Sequence, residues 1–161
     1  MSTRLQHLWL ALTTLPRLTF NRPLRELWRE MRAFARALPQ QFRPPLPDAL
    51  DHLTPAQINL DLGEDRIRKL ADTAAVLDRQ SPFGLCLRRS LVRYHYLRRA
   101  GIPIDLRFGA RFVDGKPDRE ISGHAWVTLQ GEAYHEPDEN WRGFTVMFSH
   151  PATSERVDIP R

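Results

Sequence analysis

The sequence contains one cysteine, Cys86, among its 161 residues, and this scarcity excludes several kinds of site. A lone thiol cannot form an internal disulfide, and it cannot by itself build a cysteine-rich metal site. None of the histidines lies at the spacing from another histidine or from Cys86 that a metal site requires. We therefore expect a protein of a reducing, cytoplasmic compartment that uses no metal and no cofactor.

Long apolar runs, glycine-rich phosphate loops and internal repeats are also missing from the sequence. These absences argue against a membrane-spanning segment and against a nucleotide site. Residues 1–20 hold Arg4 and several leucines, as a signal peptide would. However, His7 interrupts the apolar stretch and no small-residue cleavage site follows, so we expect a helix of the mature protein.

Positive charge is concentrated at the beginning of the chain. Residues 1–50 contain eight basic and three acidic side chains, which accounts for the whole net charge of +5. Prolines cluster between Gln40 and Pro47 and predict a stiff connector. We therefore divide the chain into a basic helical N-terminal arm with a proline-rich connector, residues 1–50, and a domain of residues 51–161. Because the arginines of the arm alternate with apolar residues, we expect a solvated helix face that contacts neither nucleic acid nor a membrane.

The period of the apolar residues changes from helical to alternating after residue 101. Helical spacing predicts helices over residues 4–14, from Asn21 to Pro39, from a capping box at Thr54, over residues 64–78 and over residues 85–101. Alternation then predicts strands over residues 104–112, 121–129, 132–136 and 143–148. This order predicts an α+β fold, with N-terminal helices followed by an antiparallel sheet.

Cys86 lies at the predicted start of the last helix before the sheet, just after Pro82 and Gly84. A helix N-terminus lowers the pKa of a thiol in the first turn, which makes Cys86 a candidate nucleophile. The alternative is a small buried apolar residue, the usual role of a free cysteine. The spacing predicts a buried stripe of Leu87, Ser90, Leu91, Tyr94 and Leu97, and it places Arg88, Arg89, Arg93, Arg98 and Arg99 on the solvent side.

His124 is the candidate base, and the next hairpin offers a carboxylate to orient it. A three-residue loop at 129–131 would place Glu136 opposite His124, whereas a two-residue loop would turn Glu136 to the other face. We favour the three-residue loop, because Gln130-Gly131 is not the Asn-Gly or Asp-Gly pair typical of two-residue turns. Asp138 is the second candidate for the acid.

Residues 83–136 resemble the transglutaminase-like cysteine peptidases of lasso peptide biosynthesis. The matching stretches are Cys86-Leu87-Arg88-Arg89-Ser90-Leu91, Leu97-Arg98-Arg99-Ala100-Gly101-Ile102-Pro103, Phe108-Gly109-Ala110-Arg111 and His124-Ala125-Trp126-Val127. The resemblance implies a papain/transglutaminase-like fold with the nucleophile at the start of the central helix. It implies Cys86 as nucleophile, His124 as base and Glu136 as orienting acid. The third residue is commonly Asp in that family, which leaves the choice between Glu136 and Asp138 open.

The resemblance also implies a function and a set of partners. The family's peptidases remove the leader from a ribosomally made lasso precursor peptide, and a separate asparagine-synthetase-like lasso cyclase then closes the macrolactam. Residues 1–80 are predicted to be helical, so the leader-recognition domain of the family is expected on a separate protein, with the N-terminal arm as a docking surface for that protein or for the cyclase. Gly84, Trp126 and Trp141 are expected to contact substrate. The alternatives are an acyl transferase or amidase acting on another peptide, and a non-catalytic adaptor in a peptide-modification complex.

Overall fold

The computed structural model describes residues 21–113 and 120–151, so the helix predicted over residues 4–14 lies outside the described residues. The elements are, in chain order, helices α1 (Arg22–Gln41), α2 (Leu46–Leu53), α3 (Glu64–Leu77) and α4 (Leu85–Arg99), strands β1 (Ile104–Phe112), β2 (Ile121–Leu129) and β3 (Glu132–Ala133), the short helix α5 (Asp138–Trp141) and strand β4 (Thr145–His150). The predicted α+β order of helices followed by an antiparallel sheet is confirmed. In these two ranges, no helix is both long and apolar enough to cross a bilayer.

The sheet has the strand order β3-β2-β1-β4, and all neighbours are antiparallel. Strands β1 and β2 pair along their whole length, which places Gly109 opposite His124. One face of the sheet buries Ile104, Leu106 and Val127 in the same apolar cluster as the helices. The sheet and the helices therefore share one core.

Helix α4 is the central helix, because it packs against α1, α3, β1 and β2. The predicted stripe is buried at all its positions except Leu87, which is half-buried. The prediction that Arg88 and Arg93 face solvent was wrong, since they are 7% and 3% exposed. Each buried guanidinium has a carboxylate partner, Asp78 for Arg88 at 3.9 Å and Asp72 for Arg93 at 2.6 Å. Such pairing allows a cation to be buried.

Helix α1 begins as predicted and continues past its predicted end. The Asn21 Oδ1 atom accepts a hydrogen bond from the Leu24 N–H at 3.1 Å and so caps the first turn. The helix was predicted to stop at Pro39, but it runs to Gln41. A proline this close to the end removes a single helical hydrogen bond, and the next turn is retained because the Phe42 N–H donates to the Leu38 carbonyl at 3.0 Å.

The apolar side of α1 belongs to the common core. Met31, Ala35 and Leu38 are fully buried, and α1 packs on α3 and α4. The described part of residues 1–50 therefore packs on the rest of the chain. The domain boundary at residue 50 remains a prediction.

Thr54 ends a helix instead of starting one, so the capping-box prediction was wrong. Helix α2 begins at Leu46, which shortens the proline-rich connector, and Thr54 is the residue at its C-terminal end. The Thr54 hydroxyl donates to the Leu50 carbonyl at 2.9 Å and lies 2.8 Å from the Tyr94 hydroxyl. Its oxygen is therefore engaged with the preceding helix and with α4.

The hairpin between β2 and β3 differs from the prediction by one residue. Leu129 lies opposite Glu132, so the turn has two residues, Gln130 and Gly131. Both residues have left-handed φ angles, 53° and 87°, as a type I′ turn requires. The three-residue loop was wrong because Gln130 adopts a conformation expected mainly of Asn, Asp or Gly. Strand β3 ends at Ala133 instead of residue 136, and β4 is shifted by two residues from its predicted range.

Candidate active site

Cys86 is the second residue of α4, at a helix start that no side chain caps. Gly84 is the N-cap residue and has no side chain that could accept from the first-turn N–H groups. The first N–H with a helical partner is that of Arg88, which donates to the Gly84 carbonyl at 3.2 Å. The half-buried sulfur of Cys86 is in hydrogen-bonding contact with the backbone N–H groups of Leu87 and Ala125. Both contacts lower the pKa of the thiol.

The shortness of β3 allows α4 to reach β2. Because β3 ends at Ala133, the outer edge of β2 has no strand partner at Ala125. The first turns of α4 occupy this edge, where the Ser90 hydroxyl donates to the Ala125 carbonyl at 2.9 Å. This contact places Cys86 beside His124, the residue of β2 that precedes Ala125.

Cys86 and His124 form a hydrogen-bonded pair whose pKa values move in opposite directions. The hydrogen bond to His124 lowers the pKa of the Cys86 thiol and outweighs the effect of burial, which would raise it. The same bond, together with the contact to Glu136, raises the pKa of His124 to about 9. The two opposite shifts favour a thiolate paired with an imidazolium over the neutral thiol and imidazole.

Glu136 lies against His124 although the predicted register was wrong. The His124 Nε2 atom is 3.4 Å from the Glu136 Oε1 atom, and Glu136 is only 8% exposed. Continued strand alternation from the two-residue turn would have placed Glu136 on the other face. The strand has ended by then, and His135 adopts a left-handed φ of 46°, which breaks the alternation. Two departures from the prediction therefore offset each other.

Three further groups hold the Glu136 carboxylate in its ionised form. The Asn140 Nδ2 atom donates to Glu136 Oε1 at 3.0 Å, and the Arg89 Nη2 atom donates to Glu136 Oε2. The Arg93 Nη1 atom is 4.0 Å from Oε2. Burial would raise the pKa of Glu136, but the bond to His124 and the charges of the two arginines outweigh it, so the pKa is lowered.

Arg93 is itself held by hydrogen bonds to Asp72 and to the Tyr134 carbonyl. The sequence did not predict these contacts. The Arg93 Nε and Nη2 atoms donate to the two carboxylate oxygens of Asp72 at 2.6 and 2.8 Å. Its Nη1 atom donates to the Tyr134 carbonyl at 3.3 Å, at the segment that carries Glu136. A signal was present in the sequence, because Cys86, Arg89 and Arg93 share one helical face at positions i, i+3 and i+7.

Asp138, the second candidate acid, is placed elsewhere. It is the first residue of α5, is exposed, and pairs with Arg142 at 2.7 Å. Of the two candidate carboxylates, Glu136 is the one that contacts His124. The structure thus brings Cys86, His124 and Glu136 together.

Aromatic rings cover one side of His124. The Trp126 ring stacks beside the imidazole, with centroids 5.8 Å apart and planes 17° from parallel. The Phe144 ring lies 5.4 Å from the imidazole, and Trp141 lies 6.5 Å from Trp126. Trp126 and Trp141 thus belong to the wall of the site, and their contact with substrate stays a prediction.

Gly109 makes room for this wall. A Cβ atom at Gly109 would lie 2.9 Å from the Trp126 ring and 3.0 Å from the Phe144 Cβ atom. We expect Gly109→Ala to displace the Trp126 ring and to lower the free energy of unfolding by about 1–3 kcal/mol, as overpacking does. Urea denaturation measures this loss. The matched control is Gly123→Ala, because nothing lies within 4 Å of a Cβ atom there. Equal stability of the two variants would contradict the steric role of Gly109.

Within residues 21–113 and 120–151, no group of three or more His, Cys, Asp or Glu side chains is arranged to hold a metal ion. The groups that meet at Cys86 instead form a chain of polar contacts from thiol to imidazole to carboxylate. This arrangement is able to generate a nucleophile and to move a proton.

The comparisons with known proteins agree with this chemistry at the level of a family. A family model described as the transglutaminase-like superfamily matches residues 23–149. No curated protein and no solved structure matches the sequence. Superfamilies of this kind use cysteine chemistry for peptidase or acyl-transfer reactions. Because the match covers more than half of the sequence, the chain belongs to the transglutaminase-like superfamily.

Proposed function

We propose that the protein is a cysteine peptidase that removes the leader from a ribosomally made lasso precursor peptide before a separate cyclase closes the macrolactam. The observation that carries the chemistry is the continuous contact from Cys86 through His124 to Glu136. The choice of a leader peptide as substrate rests on the sequence resemblance around Cys86 and His124.

The reaction follows from the charges of the site. The Cys86 thiolate attacks the carbonyl carbon of the scissile bond, and N–H groups at the uncapped start of α4 bind the oxyanion that develops. The His124 imidazolium gives its proton to the leaving amine, so the core peptide leaves with a free N-terminus and the leader stays as a thioester. A water molecule then attacks the thioester while His124 takes its proton, and the sulfur leaves as thiolate, which releases the leader acid and regenerates the thiolate–imidazolium pair.

Glu136 acts through the orientation of His124. Its carboxylate faces the Nε2 atom of the imidazole, which leaves Nδ1 to exchange a proton with the sulfur and the leaving amine. A fixed carboxylate at Nε2 sets the tautomer and stabilises the imidazolium, as the acid of a triad does. Arg89 and Arg93 are positioning residues, because they hold Glu136 and do not touch the reacting atoms.

Gly84 supports catalysis by leaving the helix start uncapped. We expect Gly84→Asp to lower the rate of peptide cleavage, because its carboxylate would accept the N–H of Cys86 or Leu87 and would raise the pKa of the thiol. Gly84→Ala is the matched control, since a Cβ atom there lies at an ordinary 3.8 Å from the Cys86 sulfur. Steady-state cleavage and thermal denaturation distinguish the two effects. An unchanged rate in Gly84→Asp would argue against oxyanion binding at this helix start.

The proposed partners are the precursor peptide, a separate leader-recognition protein and an asparagine-synthetase-like lasso cyclase. The exposed basic side of α1, which carries Arg29 and Arg36, is the proposed docking surface for the recognition protein. Opposite charges would favour this contact if the recognition protein presents an acidic surface. Unchanged binding of the recognition protein to an Arg29→Glu/Arg36→Glu variant would reject this surface.

Mass spectrometry of a precursor incubated with the protein and its recognition protein tests the proposed function. We expect two fragments whose masses sum to that of the precursor plus one water, and intact precursor with Cys86→Ala. Addition of a primary amine distinguishes acyl transfer, in which the leader fragment would carry the amine instead of a carboxylate. Intact precursor that is still bound by the wild-type protein would favour a non-catalytic adaptor and reject the peptidase.

A further inference from the structure

Exposed apolar side chains concentrate at one end of the sheet, where β1 ends and β2 and β4 begin. Phe112, Ile121 and Met147 are 45%, 63% and 69% exposed. They border a groove of about 950 Å³ that Val113 and Ser122 also line. Contiguous exposed apolar surface of this kind is typical of a binding site.

One side of the groove lies near His124: Arg111 and Ser122 are on the face of the sheet that carries His124, whereas Phe112 and Ile121 are on the other face. Ser122 precedes His124 by two residues on the same face of β2, which is about 7 Å along a strand. Arg111 lies opposite Ser122, and its guanidinium carbon is 4.4 Å from the centre of the Phe144 ring. That ring in turn lies 5.4 Å from the imidazole of His124. A chain bound in the groove would therefore continue past the catalytic histidine.

The charge of the groove favours an acidic ligand. Arg111 is exposed, and no carboxylate of the described residues forms an ion pair with it. The described lining residues include no acidic side chain. The groove thus combines apolar surface with one cation that stacks on Phe144 and has no carboxylate partner among the described residues.

We propose that this groove binds the part of the peptide substrate that lies within about two to four residues of the scissile bond, in an extended conformation. Because Ile121 and Arg111 lie on opposite faces of the sheet, apolar side chains of the segment pack on Ile121 and Met147, and an acidic side chain between them pairs with Arg111. This inference rests on the proposed function and adds to it the substrate class, an apolar and acidic segment beside the cleavage site.

Binding of three tetrapeptides to the Cys86→Ala variant tests the proposal without any chemistry. The probes are acetyl-Leu-Asp-Leu-Gly-amide, acetyl-Leu-Lys-Leu-Gly-amide and acetyl-Ser-Asp-Ser-Gly-amide, and backbone NMR shifts of Ser122, Gly143 and Thr145 report binding. We expect the first peptide to bind at least about fivefold more tightly than the other two, a difference of about 1 kcal/mol. Saturation of the shifts with peptide concentration gives each dissociation constant.

Two variants at exposed positions identify the groove as the binding site. We expect Met147→Glu to weaken binding of the leucine-aspartate peptide at least about fivefold, and Arg111→Glu to reverse the preference for aspartate over lysine. Ile58→Glu is the matched control, because Ile58 is an exposed apolar residue, 75% accessible, that does not line the groove. We expect it to bind all three peptides as Cys86→Ala alone does.

Several outcomes would overturn the proposal. These are equal binding of the three peptides, no binding of any, and an unchanged affinity in Met147→Glu. Sedimentation that shows a dimer lost in Met147→Glu would identify a second copy of the chain as the occupant and would also overturn it. Because these measurements use a variant without the thiol, they fail or succeed independently of the cleavage assay that tests the proposed function.

Discussion

Cys86→Ala is expected to abolish cleavage of the precursor, with a fall in rate of about 10⁴-fold or more. The variant keeps the N–H groups of the helix start and the imidazole, but it has no atom that can attack the carbonyl carbon. The protein should still fold, because Cys86 is only half-buried and the substitution removes a single sulfur. Cleavage followed by mass spectrometry measures the loss, and circular dichroism checks the fold.

Cys86→Ser is the matched control for this prediction. It replaces the thiol with a hydroxyl of similar size. Because a hydroxyl is a much weaker nucleophile than a thiolate, we expect the cleavage rate to fall by a similar factor. Cleavage by Cys86→Ala at a rate within tenfold of the wild-type rate would contradict the assignment of Cys86 as nucleophile.

The second large effect is expected at Glu136. Glu136→Gln keeps the shape of the side chain but removes the charge that stabilises the imidazolium, so we expect the cleavage rate to fall about 10²- to 10⁴-fold. The negative charge of Glu136 also raises the pKa of His124, and the amide carries no charge. The pH at which activity declines on the alkaline side should therefore move down from about 9, because the imidazolium loses its proton at lower pH. A pH profile of cleavage measures this shift.

Asp138→Asn is the matched control, since it removes a carboxylate two residues away that is exposed and paired with Arg142. We expect its rate and its pH profile to match those of the wild type. A larger effect at Asp138 than at Glu136 would assign the orienting acid to Asp138 instead. Loss of rate in Glu136→Gln without a shift of the alkaline limb would indicate a purely structural role for Glu136.

Local patterns predicted the elements that carry the candidate site. The apolar spacing of α4 and the alternation of β1 and β2 depend on contacts between neighbouring residues, and their predicted ranges agree closely with the structure. Cys86 and His124 could be placed on these elements. Whether they meet could not be predicted, because it depends on how far β3 extends along the edge of β2.

The hairpin shows why the carboxylate was harder to place. Its register depends on the φ angle of Gln130, and the position of Glu136 after the strand depends on that of His135. Both angles are left-handed although neither residue is glycine. The contacts of the surrounding structure determine these angles, and residue type alone does not. Glu136 was predicted from a three-residue loop that the structure does not have. It contacts His124 because the strand ends early and the chain turns at His135.

Buried charge was the other feature that local patterns could not predict. Helical spacing placed Arg93 on the solvent side because it is charged, whereas its partner Asp72 lies on α3, 21 residues earlier. The polar contact between two helices allows this arginine to be buried beneath Glu136. Pairs of this kind depend on tertiary packing, so a single sequence does not reveal them.

The pH dependence of Cys86 alkylation by iodoacetamide tests the central claim, a thiolate held by His124, most directly. Because Cys86 is the only cysteine, the whole signal reports one sulfur. We predict that the rate reaches half of its maximum below the pKa of about 8.5 that a free thiol has. In His124→Ala the midpoint should move up towards that value, since the hydrogen bond that lowers the pKa is lost. A wild-type midpoint near that of a free thiol, unchanged in His124→Ala, would contradict the account.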